Sequence, residues 1–207
     1  MRVIAGKYRS RQLRSLPGLD IRPTADRLRE TLFNVLTAGN PAALEGTVWL
    51  DLFAGTGAVG IEALSRGASV VQFVESSARA AELIKQNLAS LGIKSGFQIL
   101  KQESIRALRA LESSGVVVDF IFLDPPYDME GAYRQSLETL SKSRMLRPES
   151  IVIVEHQKKF DSGEAFEALR RYRKLQQGDA ALSFYRLDPA HRNRPFETSG
   201  STHPSHQ

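Results

Sequence analysis

The chain alternates short apolar runs, glycine turns and amphipathic stretches of helical period. VWLDLF (48–53), VVQFVE (70–75), FQIL (97–100), VVVDFIFL (116–123) and IVIVE (151–155) carry too few polar positions for strands with one wet face. Between them, GIEALSRG (60–67), SARAAELIKQNLASLG (77–92) and the stretch near 132–141 read as helices. In the second of these, Ala80, Ile84, Leu88 and Leu91 fall on one face. Strands buried on both faces and joined by helices predict an α/β fold with a mostly parallel sheet between two helical layers. YRKLQQG (172–178) and ALSFYRL (181–187) lie too close together for a parallel crossover, so they predict an antiparallel hairpin at one sheet edge.

The first forty residues have a different pattern. Residues 2–15 alternate loosely, with Val3, Tyr8 and Leu13 among basic residues, as in a hairpin that Gly6 could turn or bulge. Pro23-Thr24 then opens a helix with Leu28, Leu32, Val35 and Leu36 on one face, and Gly39-Asn40-Pro41 stops it. The predicted organisation is a hairpin and helix over 1–40, an α/β domain over 41–187, and a polar, proline-dotted tail over 188–207 that is expected to be disordered.

Composition narrows the chemistry. With 207 residues and 42% hydrophobic content there is material for a full core. The chain has no cysteine, which excludes disulfides and thiolate ligation, and its four histidines, at 156, 191, 203 and 206, have no metal-ligand spacing, so no metal site is expected. The N-terminus lacks the apolar core of a secretory signal, and no window approaches the ~20 apolar residues of a membrane span. A cytoplasmic protein without membrane contact is expected, acting as a monomer.

The net charge of +5 is unevenly placed: residues 1–29 hold eight basic residues against two acidic ones, which leaves the other 178 residues at −1. Arg2, Lys7, Arg9, Arg11, Arg14, Arg22, Arg27 and Arg29 therefore form either a polyanion-binding arm or a merely solvated hairpin. Seven arginines to one lysine favour phosphate and base recognition.

Two constellations carry candidate chemistry. In Asp51-Leu-Phe-Ala-Gly55-Thr-Gly57-Ala-Val-Gly60 the glycines satisfy G-x-G-x-x-G between a strand and a helix, and Glu75 follows at the end of the next strand, as in dinucleotide sites. Asp51 disfavours that reading, since a carboxylate just upstream would repel a pyrophosphate but attract a cation. S-adenosylmethionine, with its ammonium, sulfonium and ribose, suits both the acid and the glycines. Phe53, Thr56 and Ser76 flank these groups and complete the expected cofactor loop. Glu103 and Ser104, at the third strand's end, either face the adenine or simply start a helix.

The other constellation is FLDPPYD (122–128). Prolines fix φ and remove donors, so Asp124, Pro125 and Pro126 leave a rigid rim of acceptors where a doubly wound sheet binds ligands. Such a rim suits an exocyclic amino group, whose two N–H bonds can point at the Asp124 carboxylate and the Pro125 carbonyl, while Tyr127 stacks on the ring.

DPPY after a fourth strand, combined with LDLFAGTGAVGIEALSRGA, resembles the class I S-adenosylmethionine-dependent amino-methyltransferases. MRVIAGKYRSRQL followed by RPTADRLRETLFNVL is similar, more narrowly, to the bacterial 16S ribosomal RNA guanine-N2-methyltransferases of the RsmD type. The likeness covers residues 2 to about 187. It implies a Rossmann-like, seven-stranded sheet with a reversed last strand, and methyl transfer to the 2-amino group of one guanine. The implied partner is 16S rRNA in an assembled or assembling small subunit. It also implies cofactor contacts at Asp51, Gly55, Gly57, Glu75 and Glu103-Ser104, a target base at Asp124–Tyr127, and RNA along the basic arm. The rivals are a DNA-adenine or protein-glutamine methylase, an NAD-dependent oxidoreductase, and a noncatalytic RNA-binding module.

Overall fold

The computed structural model describes residues 1–15 and 23–191. Arg22 and the tail from 192 onward therefore lie outside the described residues; of the predicted tail Asp188, whose N–H donates to the Ala168 carbonyl, and a short 3-10 turn at Pro189–His191 are described and ordered. The elements in chain order are α1 (Pro23–Leu36), β1 (Val48–Leu52), α2 (Ala58–Ser65), β2 (Val70–Val74), α3 (Ala78–Ser90), β3 (Phe97–Leu100), α4 (Ser104–Ser113), β4 (Val118–Leu123), α5 (Glu130–Ser141), β5 (Leu146–Gln157), β6 (Ala165–Phe166), β7 (Leu169–Gln177) and β8 (Ala180–Leu187).

The strands form one sheet in the order β3-β2-β1-β4-β5-β8-β7-β6. β1 pairs in parallel with both β2 and β4, and the chain reverses its direction of travel across the sheet between them, which opens the ligand crevice of such folds. The sheet has eight strands where seven were expected; the addition is β6, two residues long, at the rim. The reversed strand is also not at the edge. β8 lies between β5 and β7, antiparallel to both, and its buried run Ala180–Tyr185 needs cover on both sides. The more polar β7 takes the outer position.

Period-2 alternation divides the core between the two faces. Trp49, Phe73, Phe120, Phe122 and Ile153 pack with Leu28, Leu32 and Phe33 of α1 and with α2 and α3. Leu50, Val74, Ile121, Leu123, Val152 and Val154 pack with α4 and α5. Trp49 lies between the Phe33 and Phe120 rings, at 5.4 and 5.1 Å.

The N-terminal segment is a tight loop closed by one β-bridge, Arg2 to Gln12, and it docks on α2. Glu62, fully buried, accepts hydrogen bonds from the Ile4 and Ala5 N–H groups (2.7 and 3.0 Å) and from Arg66 Nε (2.8 Å). The Lys7 N–H donates to the Ser65 carbonyl at 2.7 Å, satisfying a carbonyl that the end of α2 leaves unpaired.

Gly6, at φ +78°, makes this approach possible: a Cβ there would lie 1.9 Å from the Ser65 oxygen. Gly6→Ala is expected to cost about 2–4 kcal/mol in urea unfolding. Gly39→Ala, at φ +80° but in open space, should cost only the left-handed strain of about 1–2 kcal/mol. Equal losses would show that the docking contributes nothing.

Candidate functional site

A cleft of about 770 Å³ opens at the carboxyl ends of β1, β2, β4 and β5. Phe53, at φ +62°, and Gly55, at φ +55°, turn the chain after β1, and Gly57 at φ +76° caps α2. The three glycines have different physical reasons. A Cβ at Gly60 would meet the Phe73 ring at 2.3 Å, and one at Gly57 would meet Ile84 at 3.2 Å, so both serve packing. Gly55 lines the cleft, with only its own turn nearby.

Period 2 also decides where the strand-end acids point. Glu75 continues the Val71, Phe73 series, Asp51 follows Trp49, Asp124 follows Phe120 and Phe122, and Glu155 follows Ile151 and Ile153. All four therefore face the α1 side, and all four line the cleft. Their environments differ. Glu75 spans the turn, accepting from the Gly55 N–H at 2.9 Å and the Ser77 N–H at 2.8 Å. Asp51 is buried and accepts from the Gly60 N–H at 2.9 Å. Burial raises its pKa well above the ordinary value; the Gly60 bond opposes this, and the charges of Asp124 and Glu75 add to it.

Asp124 leaves β4 beside β5. The last registered pair is Leu123 with Val154, so Asp124 and Glu155 are the next residues on neighbouring strands, roughly 4.8 Å apart in backbone. Burial pushes the Asp124 carboxyl up to about 7. Glu155 is also raised, by burial and then by the Asp124 charge, against the lowering effect of Arg29. Pro125 is buried, and its carbonyl accepts from the Tyr133 hydroxyl at 3.2 Å. The Pro126 carbonyl accepts from the Met129 N–H at 2.8 Å. One lone pair of each carbonyl is thus engaged, which holds the rim rigid. Tyr127, 43% exposed, stands at the mouth with its ring accessible.

Not every expected residue joins the wall. Ser76, Thr56 and Glu103 line the cleft, but Ser104 is buried at the start of α4, outside it. Among the basic residues Arg2, Lys7, Arg9, Arg11, Arg14 and Arg27 are exposed; Arg11 also reaches the Ser90 carbonyl at 3.1 Å, and Arg14 reaches Gln86 Oε1 at 3.2 Å. Arg29 departs from the expectation of an outward RNA contact. It is 6% exposed, and its Nη2 donates to the Arg2 carbonyl at 2.6 Å and to Asp26 Oδ1 at 3.1 Å. Its helix turns it inward with Leu28 and Leu32, so it lines the cleft instead.

Two groups were missed in the sequence. Glu155 was read only as the end of a strand, although period 2 places it beside Asp124. Asn87, fully buried in α3, accepts from the Arg14 N–H at 2.8 Å and donates to the Arg14 carbonyl at 3.1 Å and the Thr56 carbonyl at 3.0 Å. Nothing in a lone helical asparagine signals that link between arm and turn.

Residues 1–186 match the family described as Conserved hypothetical protein 95. The chain belongs to that family. Ribosomal RNA small subunit methyltransferase D of Haemophilus influenzae is 36% identical over 159 residues, 76% of this chain and 79% of that one. The solved structure of yhhF from Escherichia coli matches at TM-score 0.75 and 30% identity, over 91% of this chain and 98% of that chain. The Thermus thermophilus 16S rRNA N2 G1207 methyltransferase RsmC, solved with AdoMet and guanosine, shares the fold at TM-score 0.64 and 20% identity, over 84% of this chain and 45% of that one.

The acid pair makes stability depend on pH. A folded-state pKa near 7 for Asp124, against about 3.9 unfolded, means that the folded protein keeps a proton the unfolded chain has released. Its stability therefore falls as pH rises from about 4 through 7. Asp124→Asn removes Asp124's share of this dependence, so its melting temperature relative to wild type should be higher at pH 8 than at pH 5. A constant difference would place the titration elsewhere.

Proposed function

We propose that this protein transfers the methyl group of S-adenosylmethionine to the exocyclic 2-amino group of a guanine in the 16S ribosomal RNA of the small subunit. The observation that carries the reading is a shared cleft, with Gly55 and Glu75 on one wall and Asp124, Pro125 and Tyr127 on the other. The names of the relatives support ribosomal RNA as substrate, and the ligands of the RsmC neighbour support a sulfonium nucleoside and a guanine as occupants.

The residues present fit such a pair. The Glu75 oxygens each keep a lone pair for ribose hydroxyls, Gly55 leaves room above the turn, and the cleft volume falls within the ordinary range for small-molecule sites. The bound cofactor would supply a methyl group whose bond to sulfur breaks as the bond to nitrogen forms. The protein's part is to position the amine. Asp124 and the free lone pair of Pro125 accept its two N–H bonds, turning the nitrogen lone pair toward the glycine turn, and Tyr127 stacks on the base. Holding two reactants in line can contribute several kcal/mol. After transfer the nitrogen is cationic and gives up a proton, which Asp124, with a pKa of about 7, can take near neutral pH.

An NAD-dependent oxidoreductase is less well served. Its pyrophosphate would need the α2 N-terminus, where the Gly60 N–H is already bonded to the Asp51 carboxylate. Thermal shift separates the two: a rise with S-adenosylhomocysteine and none with NAD supports the methylase, and the reverse pattern discards it.

The direct test is labelled methyl incorporation into small subunits lacking the modification, with mass mapping of the nucleotide. Asp124→Ala should lower transfer at least ~100-fold while cofactor affinity stays within a few-fold; undiminished turnover would remove Asp124 from the chemistry. Arg9→Glu with Arg11→Glu should weaken RNA binding and reduce the slope of log K against log salt by about two, one phosphate contact each. An unchanged slope would place the RNA elsewhere.

A further inference from the structure

A base whose amino group is held at Asp124 turns the rest of its pairing edge toward two groups that methyl transfer does not use. Glu155 stands beside Asp124 at the end of the neighbouring strand, on the same face of the sheet and in the wall of the same cleft. Arg29 enters that wall from α1. It is buried, anchored through Nη2 to the Arg2 carbonyl and Asp26, and its Nε has no hydrogen-bond partner. An orphaned guanidinium N–H costs free energy in the folded protein unless something else accepts from it.

The pairing edge of guanine presents, in order, the 2-amino donor, the N1–H donor and the O6 acceptor. The wall presents the Asp124 and Glu155 carboxylates from neighbouring strands and the Arg29 guanidinium from α1, which are two acceptors and a donor. We propose that Glu155 accepts from the N1–H and Arg29 donates to O6, so that the cleft admits guanine and rejects adenine. The inference rests on the methyl-transfer reading above and adds the means by which the base is chosen.

Adenine placed with its 6-amino group at Asp124 would set the N1 lone pair against the Glu155 carboxylate and offer Arg29 only a C–H. Buried polar groups left unpaired by the wrong ligand discriminate far more strongly than a change of shape. Guanine also suits the polar groups of this wall: its N1–H gives Glu155 a donor, and O6 gives the Arg29 Nε–H an acceptor. Because the same guanidinium holds the Arg2 carbonyl, base selection is joined mechanically to the arm.

The test uses full-length protein and small subunits reconstituted with 16S RNA carrying guanine, adenine or 1-methylguanine at the mapped target position, with labelled methyl transfer as the readout. Wild type should modify guanine and fall at least tenfold on both other bases, since a methyl on N1 removes the hydrogen that Glu155 accepts. In Glu155→Gln, whose amide can donate to adenine N1, the guanine-to-adenine ratio of kcat/KM should drop at least tenfold. An unchanged ratio in that variant, or wild-type transfer to 1-methylguanine as fast as to guanine, overturns the inference while leaving methyl transfer in place. Wild-type inactivity on guanine-bearing subunits removes the parent reading itself. The 1-methylguanine comparison needs no variant, so it stands even if Glu155→Gln folds poorly.

Discussion

Four adjacent strand ends each deliver a carboxylate to one side of the sheet, and the rest of the structure has to make that tolerable. Like charges brought together out of water raise one another's proton affinity, and here each is managed differently. Glu75 accepts from two backbone N–H groups, and Asp51 accepts from the Gly60 N–H. Asp124 and Glu155 have no such main-chain donors among the described bonds; burial raises both, and the Arg29 charge opposes the rise at Glu155. The two with backbone donors flank the glycine turn, where a cation is expected. The two without them form the wall where N–H donors are expected. Backbone donors fix the direction of the first two carboxylates, whereas the second two keep more of their acceptor capacity for a ligand, so the division of donors is also a division of roles.

The N-terminal arm is bound to this arrangement rather than appended to it. Glu62, Ser65 and Gly6 fix the arm on α2, the helix that begins at the glycine turn. Asn87 clamps Arg14 to the Thr56 carbonyl within that turn, and Arg29 clamps Arg2 to the opposite wall. Four buried polar side chains, Glu62, Ser65, Asn87 and Arg29, thus register the basic surface against the cleft. A polyanion seated on Arg2, Lys7 and Arg9 would approach at a set height above Asp124, which a flexible basic tail could not arrange.

Much of this was legible before any coordinates. Continuous apolar runs between amphipathic stretches can only be strands covered on both faces, so the parallel sheet and its helices followed from VVQFVE or IVIVE alone. The glycine turn and DPPY were legible because each departs from what a strand end needs. The placement of β8 was not, since a hairpin reads the same whichever of its strands joins the sheet; the fully apolar face of Ala180–Tyr185 was the clue. Arg29 was misjudged because charge counted along the chain says nothing about direction, whereas its position one residue after Leu28 and three before Leu32 already placed it near the buried stripe. Ser104 was placed with Glu103 at the third strand's end, but successive residues at a helix start point apart, and Ser104 is buried outside the cleft. Asn87 lay beyond reach, because its partners are 73 and 31 residues away in sequence.

The Asp124–Glu155 neighbourhood also explains why the rim is built from prolines. A carboxylate on a cleft wall with a pKa near neutrality would gain by turning toward any backbone N–H within reach, as Glu75 does at its own turn. The two residues after Asp124 have no N–H to offer, and the next N–H donor of known partner, that of Met129, is taken by the Pro126 carbonyl. The Tyr133 hydroxyl, another donor close by, is committed to the Pro125 carbonyl. The prolines thus remove two donors beside Asp124, and the Met129 and Tyr133 donors are engaged with the rim carbonyls. Asp124 lines the cleft with its proton affinity raised, and a ligand that brings N–H bonds of its own favours the ionised form.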